Sequence, residues 1–263
     1  MMTTSNISNP SNSSRTYQHL LYTAIGTTLA ELATAPICTL KTKYQNLPLH
    51  STQSICHTIN SLYSEHGLKA FFRSSGIATF EQVFSTSAKY TAFRYMTDHP
   101  DTSFLHVFPH HRFMSHVLNA ITTGIVISFI THPLNFIRVE TQMQITLPQL
   151  IRQVRDKGIF ILYRGWTKNL FKIVVGSSLF FPLHEYFTTE LKWSRERSSL
   201  MTGVIGTVCT HPFDYAKVRS IHKLPWRQGY SPFPYFKGLS LNLCRTVPHF
   251  FIIMNVFHWL DKK

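Results

Sequence analysis

Three ionisable residues share one register within apolar segments of this chain. Glu81, Lys172 and Arg245 lie seven residues after Ser74, Gly165 and Gly238. Seven residues make about two helical turns, so the spacing predicts all three at one depth. Charged groups inside apolar helices are unfavourable unless they face water, a ligand or one another. Lysine offers a point charge and arginine a planar fork, so Lys172 and Arg245 suit phosphate or carboxylate groups. Glu81 suits an amino group, a base edge or a proton. A second register, five residues before Pro36, Pro133 and Pro212, holds Glu31, Ser128 and Thr207. Glu31 and Lys89 add two charged candidates for substrate contact, and Ile173 adds an aliphatic one beside Lys172. A plainer alternative has Glu31 and Glu81 neutralise Lys89 or Lys172, and has Arg245 sit in a structural ion pair.

These registers belong to a pattern that occurs three times. Apolar segments end in Pro36-Ile-Cys38-Thr-Leu-Lys41-Thr-Lys43, Pro133-Leu-Asn135-Phe-Ile-Arg138 and Pro212-Phe-Asp214-Tyr-Ala-Lys217-Val-Arg219. An aromatic-basic pair and a small residue follow each: Phe72-Arg73-Ser74, Tyr163-Arg164-Gly165 and Phe236-Lys237-Gly238. Such copies mark a repeat architecture. They divide the chain into 17–98, 114–192 and 198–260, after a Ser/Asn-rich tail, 1–16, expected to be disordered because it cannot bury apolar surface. Six spans are expected, roughly 18–40, 74–98, 114–138, 165–191, 198–220 and 238–260, with Pro36, Pro133 and Pro212 kinking the odd ones. None is a clean apolar run, as expected of helices with one face on a wet cavity. Small residues recur four apart, at Thr23 and Thr27, Ala120 and Gly124, and Ser199 and Gly203, which suits close helix packing in a membrane. Residues 51–66 and 146–157 read as short amphipathic helices. The third connection, Lys223 to Lys237, holds Pro225, Pro232 and Pro234 and is expected to be irregular.

Only 14% of the residues are charged, well below the roughly 25% of soluble domains. Lys and Arg outnumber Asp and Glu 26 to 12, a formal charge of +14. Few charges of one dominant sign point to a membrane protein that handles anions or sits on anionic lipid. The basic residues fall at the ends of apolar segments rather than in one stripe, which argues against nucleic-acid binding. Basic connections after the odd spans place them on the positive-inside face and both termini on the other. Cys38, Cys56, Cys209 and Cys244 show no metal spacing and are expected to be reduced and buried. His106, His110 and His111 read as solvated loop residues rather than metal ligands. No catalytic motif or cofactor site stands out, so an enzyme is not expected.

The chain resembles the mitochondrial carrier family of inner-membrane metabolite transporters, over about residues 18–260. The family pattern is P-x-[DE]-x-x-[KR]-x-[KR], then a [DE]-G pair, then aromatic-[KR]-G, once per repeat. The third repeat matches its first part at Pro212, Asp214, Lys217 and Arg219. The first has Cys38 where the acid belongs. The second has Asn135 there and Glu140 for the last basic residue. Glu65-His66-Gly67 and Asp156-Lys157-Gly158 approximate the acid-glycine pair, and Ser74 replaces a glycine.

The resemblance implies an all-α membrane protein, with six transmembrane helices in three pseudo-symmetric repeats around a central cavity. It implies a matrix gate in which Asp214 meets Lys41, Cys38 faces Arg138 and Asn135 faces Lys217. Only one ion pair of three would remain, with an Asn135–Lys217 hydrogen bond beside it. On the opposite face the positions read Phe93-Arg94, His184-Glu185 and Phe257-His258, with Thr188 for a basic partner, a gate expected to be loose. Glu81, Lys172 with Ile173, and Arg245 match the family's substrate contact positions. The expected function is exchange of an anionic metabolite across the mitochondrial inner membrane by a monomer with anionic lipid, such as cardiolipin, at its matrix side. A nucleotide or nucleotide-like cofactor leads as substrate. Amino acids or carboxylates, and a degenerate carrier with a structural or regulatory role, are the alternatives.

Overall fold

The computed structural model describes residues 10–48, 53–98, 112–226 and 233–261. The helices are α1 (Pro10–Asn46), α2 (Ile55–His66), α3 (Lys69–Phe72), α4 (Ser75–Asp98), α5 (Arg112–Gln142), α6 (Leu147–Lys157), α7 (Trp166–Thr189), α8 (Arg195–Ile221) and α9 (Leu239–Asp261). Short 3₁₀ turns, Ile159–Tyr163 and Phe233–Phe236, precede α7 and α9. No strand occurs among the described residues. The six long helices touch in chain order, α1 with α4, then α5, α7, α8 and α9, and α9 closes back on α1. The result is a ring of helices. Among the described residues only α5, over Met114–Gln142, is apolar enough to read as a membrane span by itself.

Pro36, Pro133 and Pro212 lie inside α1, α5 and α8, which run on past them without a break. A threonine two residues before each proline donates to the carbonyl four residues back. Thr34 bonds Ala30 O at 2.7 Å, Thr131 bonds Ile127 O at 2.9 Å and Thr210 bonds Gly206 O at 2.6 Å. Proline removes a backbone donor in the same turn, and back-bonding hydroxyls bend helices there. The sequence reading did not single out these threonines, although all three share one register.

The turns into α7 and α9 need backbone that only glycine adopts without strain. Gly165 has φ 86° and Gly238 φ 82°. A Cβ on Gly165 would also meet Lys217 O at 3.1 Å. In the first repeat α4 follows α3 through Arg73, whose backbone is right-handed, and Ser74 is not among the positive-φ residues. That turn therefore tolerates a serine where the others carry glycine.

The α2 and α6 helices match the amphipathic segments expected from the sequence, and Ser54 caps α2 by accepting from His57 N at 3.2 Å. Buried Phe136, Val139, Leu150, Ile161, Val218 and Ile221 form an apolar cluster where α5, α6 and α8 meet. The expectation of a disordered 1–16 tail is corrected for 10–16, because α1 begins at Pro10. Proline suits a first helical turn, having the right φ and no donor to leave unpaired. Residues 1–9 and the loop histidines His106, His110 and His111 lie outside the described residues. All four cysteines are free, but only Cys38 is buried. The expectation that they are mainly buried thiols is thus corrected, since the helix faces bearing Cys209 and Cys244 point away from the packed interior.

Candidate functional site

The ring encloses a cavity of about 950 Å³, lined by α1, α4, α5, α7, α8 and α9. Side-chain exposure along it falls from 36% at Lys172 to 9% at Lys41, so it closes toward the end that carries the connections. Of the contact candidates, Glu81, Lys89, Lys172, Ile173 and Arg245 all line this space. Glu31, fully buried at 0% exposure, lies behind it.

Two charge networks form the cavity floor. In one, Arg138 on α5 donates Nη2 to Glu31 on α1 at 2.8 Å and Nη1 to Glu81 on α4 at 3.0 Å. Arg245 on α9 donates to the other Glu31 oxygen at 2.7 Å. Four helices are thereby joined through two carboxylates and two guanidinium groups. In the other, Asp214 on α8 accepts from Lys41 on α1 and from Lys172 on α7, the latter at 2.7 Å. Lys217, one turn along α8, lies 3.4 Å from the same carboxylate.

The implied Asp214–Lys41 pair is present, and Cys38 Sγ faces Arg138 Nη2 at 3.7 Å. The Asn135–Lys217 hydrogen bond is not. Asn135 Oδ1 is buried without a partner, and Lys217 turns to Asp214 on its own helix. An ammonium gains more from a carboxylate than from an amide oxygen, which explains the choice. Of the three implied pairings only Asp214–Lys41 is an ion pair, but Arg138 takes from Glu31 and Glu81 the acid that Cys38 cannot supply. Likewise, Lys172 and Arg245 are each bound to an acid here rather than standing free as a pair. The plainer alternative named Lys89 and Lys172 as partners of the glutamates. The structure gives those glutamates to Arg138 and Arg245 instead, and so puts Arg245 in the structural ion pair that the same alternative named.

Ile173 packs tightly against α5 at Gly124, where an added Cβ would sit 2.7 Å from its Cγ2. Lys89 lines the cavity, is exposed within it, and has no ion pair among the described residues. Beyond the floor, Thr42 donates to Gln142 at 2.6 Å, linking α1 to α5, and Asn169 donates to Ser128 at 2.7 Å, linking α7 to α5. At the entry to the even helices, His132 Nε2 meets Arg164 O and His211 Nε2 meets Lys237 O, each at 3.2 Å. In the first repeat Thr39 donates to Phe71 O at 3.0 Å instead. These links were missed from sequence; the signal was a histidine directly before the second and third prolines.

Glu140, in a basic position of the pattern, meets Arg164 at 3.5 Å and His222 at 3.8 Å. Burial, with Arg164 beside it, pushes the His222 imidazole down to about 4, so the ring near Glu140 is neutral at ordinary pH. On the opposite face, Thr188 bonds back to the carbonyls of His184 and Glu185 on its own helix, and Glu185 is exposed. The side chains of Phe93, Arg94, Phe257 and His258 lie outside the described residues. Among the described residues no group of His, Cys, Asp and Glu could hold a metal ion.

The family model of the mitochondrial carrier protein matches residues 12–100 and 109–195. A mitochondrial carrier-like protein of Acanthamoeba polyphaga mimivirus is 36% identical, over 94% of this chain and 97% of its own length. A mitochondrial thiamine pyrophosphate carrier of Kluyveromyces lactis is 19% identical, over 88% of this chain and 86% of its own. A mitochondrial substrate carrier family protein of Dictyostelium discoideum is 23% identical, over 54% and 57%.

Proposed function

We propose that this chain, which belongs to the mitochondrial carrier family, exchanges an anionic metabolite across the mitochondrial inner membrane by alternating access. Members of the family are all-helical membrane transporters of small molecules rather than enzymes. The finer reading rests on one observation: a water-accessible cavity whose floor gathers cations from all three sequence repeats, Lys41, Lys172 and Arg245 among them. The substrate is a nucleotide or nucleotide-like cofactor, contacted by Glu81, Lys172, Ile173 and Arg245, with Glu31 and Lys89 at its margins. The distant relative from Kluyveromyces lactis is named for a phosphorylated cofactor, which agrees with this choice. Lys41, Arg138, Asp214 and Lys217 form the gate on the matrix side, with Cys38 and Asn135 in its two altered positions. Both termini face the cytosol, as does the mouth of the cavity. The protein works as a monomer, with anionic lipid such as cardiolipin at the matrix surface.

The test is counter-exchange in liposomes, with nucleotides, amino acids and carboxylates offered in parallel. Uptake of a nucleotide that is lost in Lys172→Ala and Arg245→Ala supports the reading. Uptake that survives both substitutions together refutes the site. A carrier fold kept only for a structural role was suggested by Cys38 and Asn135. That reading loses force because Glu31 and Glu81 supply the acids for Arg138.

A further inference from the structure

We infer that the cavity selects substrates carrying two or more negative charges at one end, and that Lys89 together with Lys172 reads that charge. The inference rests on the transport reading and narrows its substrate. Around Glu31, two guanidinium groups are matched by two carboxylates. Around Asp214, three ammonium groups share one. Lys89 adds a fourth amine with no ion-pair partner among the described residues, and it lies within electrostatic reach of Glu81 and Lys172. The cavity therefore holds twice as many cations as acids.

Surplus positive charge in a cleft with low-dielectric walls raises the local concentration of anions. A zwitterion brings no net charge to it, and a monoanion leaves most of the surplus in place. A dianion or trianion matches it. Lys89 sits eight residues beyond Glu81 on α4, about two turns toward the mouth, on the face that also presents Gln82, Ser85 and Thr86 to the cavity. Those side chains can donate to the oxygens of a bound head group. Lysine does not demand planar geometry, so a diphosphate and a polycarboxylate share the chemistry the site recognises.

The probes are inorganic pyrophosphate, citrate, acetate and glycine, added to the purified protein at constant ionic strength, with thermal stabilisation as the readout. Pyrophosphate or citrate should stabilise the protein while acetate and glycine do not, and the better of the two polyanions tells phosphate from carboxylate. Lys89→Gln should weaken polyanion binding about tenfold, and Lys89→Arg should keep most of it. Lys69→Gln, at an exposed residue of α3 outside the cavity, should leave affinity unchanged. The inference is overturned if no probe stabilises the protein, if glycine or acetate matches pyrophosphate, or if Lys89→Gln behaves like Lys69→Gln. Polyanion binding without counter-exchange in liposomes would instead sink the transport reading and leave this one standing.

Discussion

Around Glu31, two arginines meet two glutamates through short, directed hydrogen bonds; around Asp214, three lysines crowd one carboxylate. The two networks sit on the same cavity floor and behave differently on physical grounds. Arginine cannot give up its proton, and its fork fixes the angle of each partner. The Glu31 network is balanced, centred on a fully buried carboxylate and suited to holding helices together. Lysine swings, sheds its proton under strain and accepts any nearby anion. The Asp214 network has more cations than acids and opens to water at Lys172, which suits it to changing partners.

The sharpest way to break this contrast is Glu31→Gln. It leaves the half-buried Arg245 without a carboxylate and removes half the acid from the buried Arg138. We expect a stability loss of about 3–5 kcal/mol, read as thermal unfolding in detergent, with no rescue by added anions. An unfolding midpoint within experimental error of the parent would show that the network carries no weight.

Asp214→Asn should come next, at about 2–3 kcal/mol, because water at Lys172 relieves part of the strain. Here pyrophosphate should restore stability by standing in for the lost carboxylate. Rescue of Glu31→Gln but not of Asp214→Asn would reverse the assignment of the two networks.

Conservative exchange of the bases gives a smaller contrast. Arg245→Lys loses the fork and should lower stability by about 1–2 kcal/mol, whereas Lys172→Arg should stay within about 1 kcal/mol. Equal effects in the two variants would mean that geometry matters no more on one side than on the other.

The smallest effect belongs to Cys38→Asp. The family pattern alone says this change restores a missing ion pair. With Arg138 already held by two carboxylates, it should shift stability by less than about 1 kcal/mol in the parent, yet recover part of the loss in Glu31→Gln. A large gain in the parent would show that Glu31 does not serve Arg138.

Much of the fold could be read from sequence because the repeat fixes register. The three prolines, the aromatic-basic-small turns and the two amphipathic connections all fall where their spacing placed them. The ion-pair partners were harder, because pairing across a ring depends on side-chain reach rather than register. Cys38 leaves Arg138 with a weak acceptor at the expected level, and Glu31 lies seven residues earlier on the same helix, about two turns away. A guanidinium on a long stem reaches it. Lys217 similarly abandons Asn135 for Asp214, one turn away on its own helix. Both outcomes follow from chemistry at single positions, which a pattern of permitted residue types does not weigh.

The imidazole contacts before Pro133 and Pro212 bear on how the ring can move. Each ties the proline turn of an odd helix to the last carbonyl before the next even one. Through this clamp a tilt of α5 carries the start of α7 with it, and α8 likewise carries α9. The second and third thirds of the ring are thereby each fastened as a unit, and in any movement of the ring each should turn whole rather than fold at its own proline. In the first third, Thr39 grips the backbone of Phe71, at the end of α3, from three residues past the proline. Its fastening lies beyond the proline rather than before it, so α1 should be able to flex at Pro36 with less pull on α4 than α5 or α8 exerts on the helix that follows it.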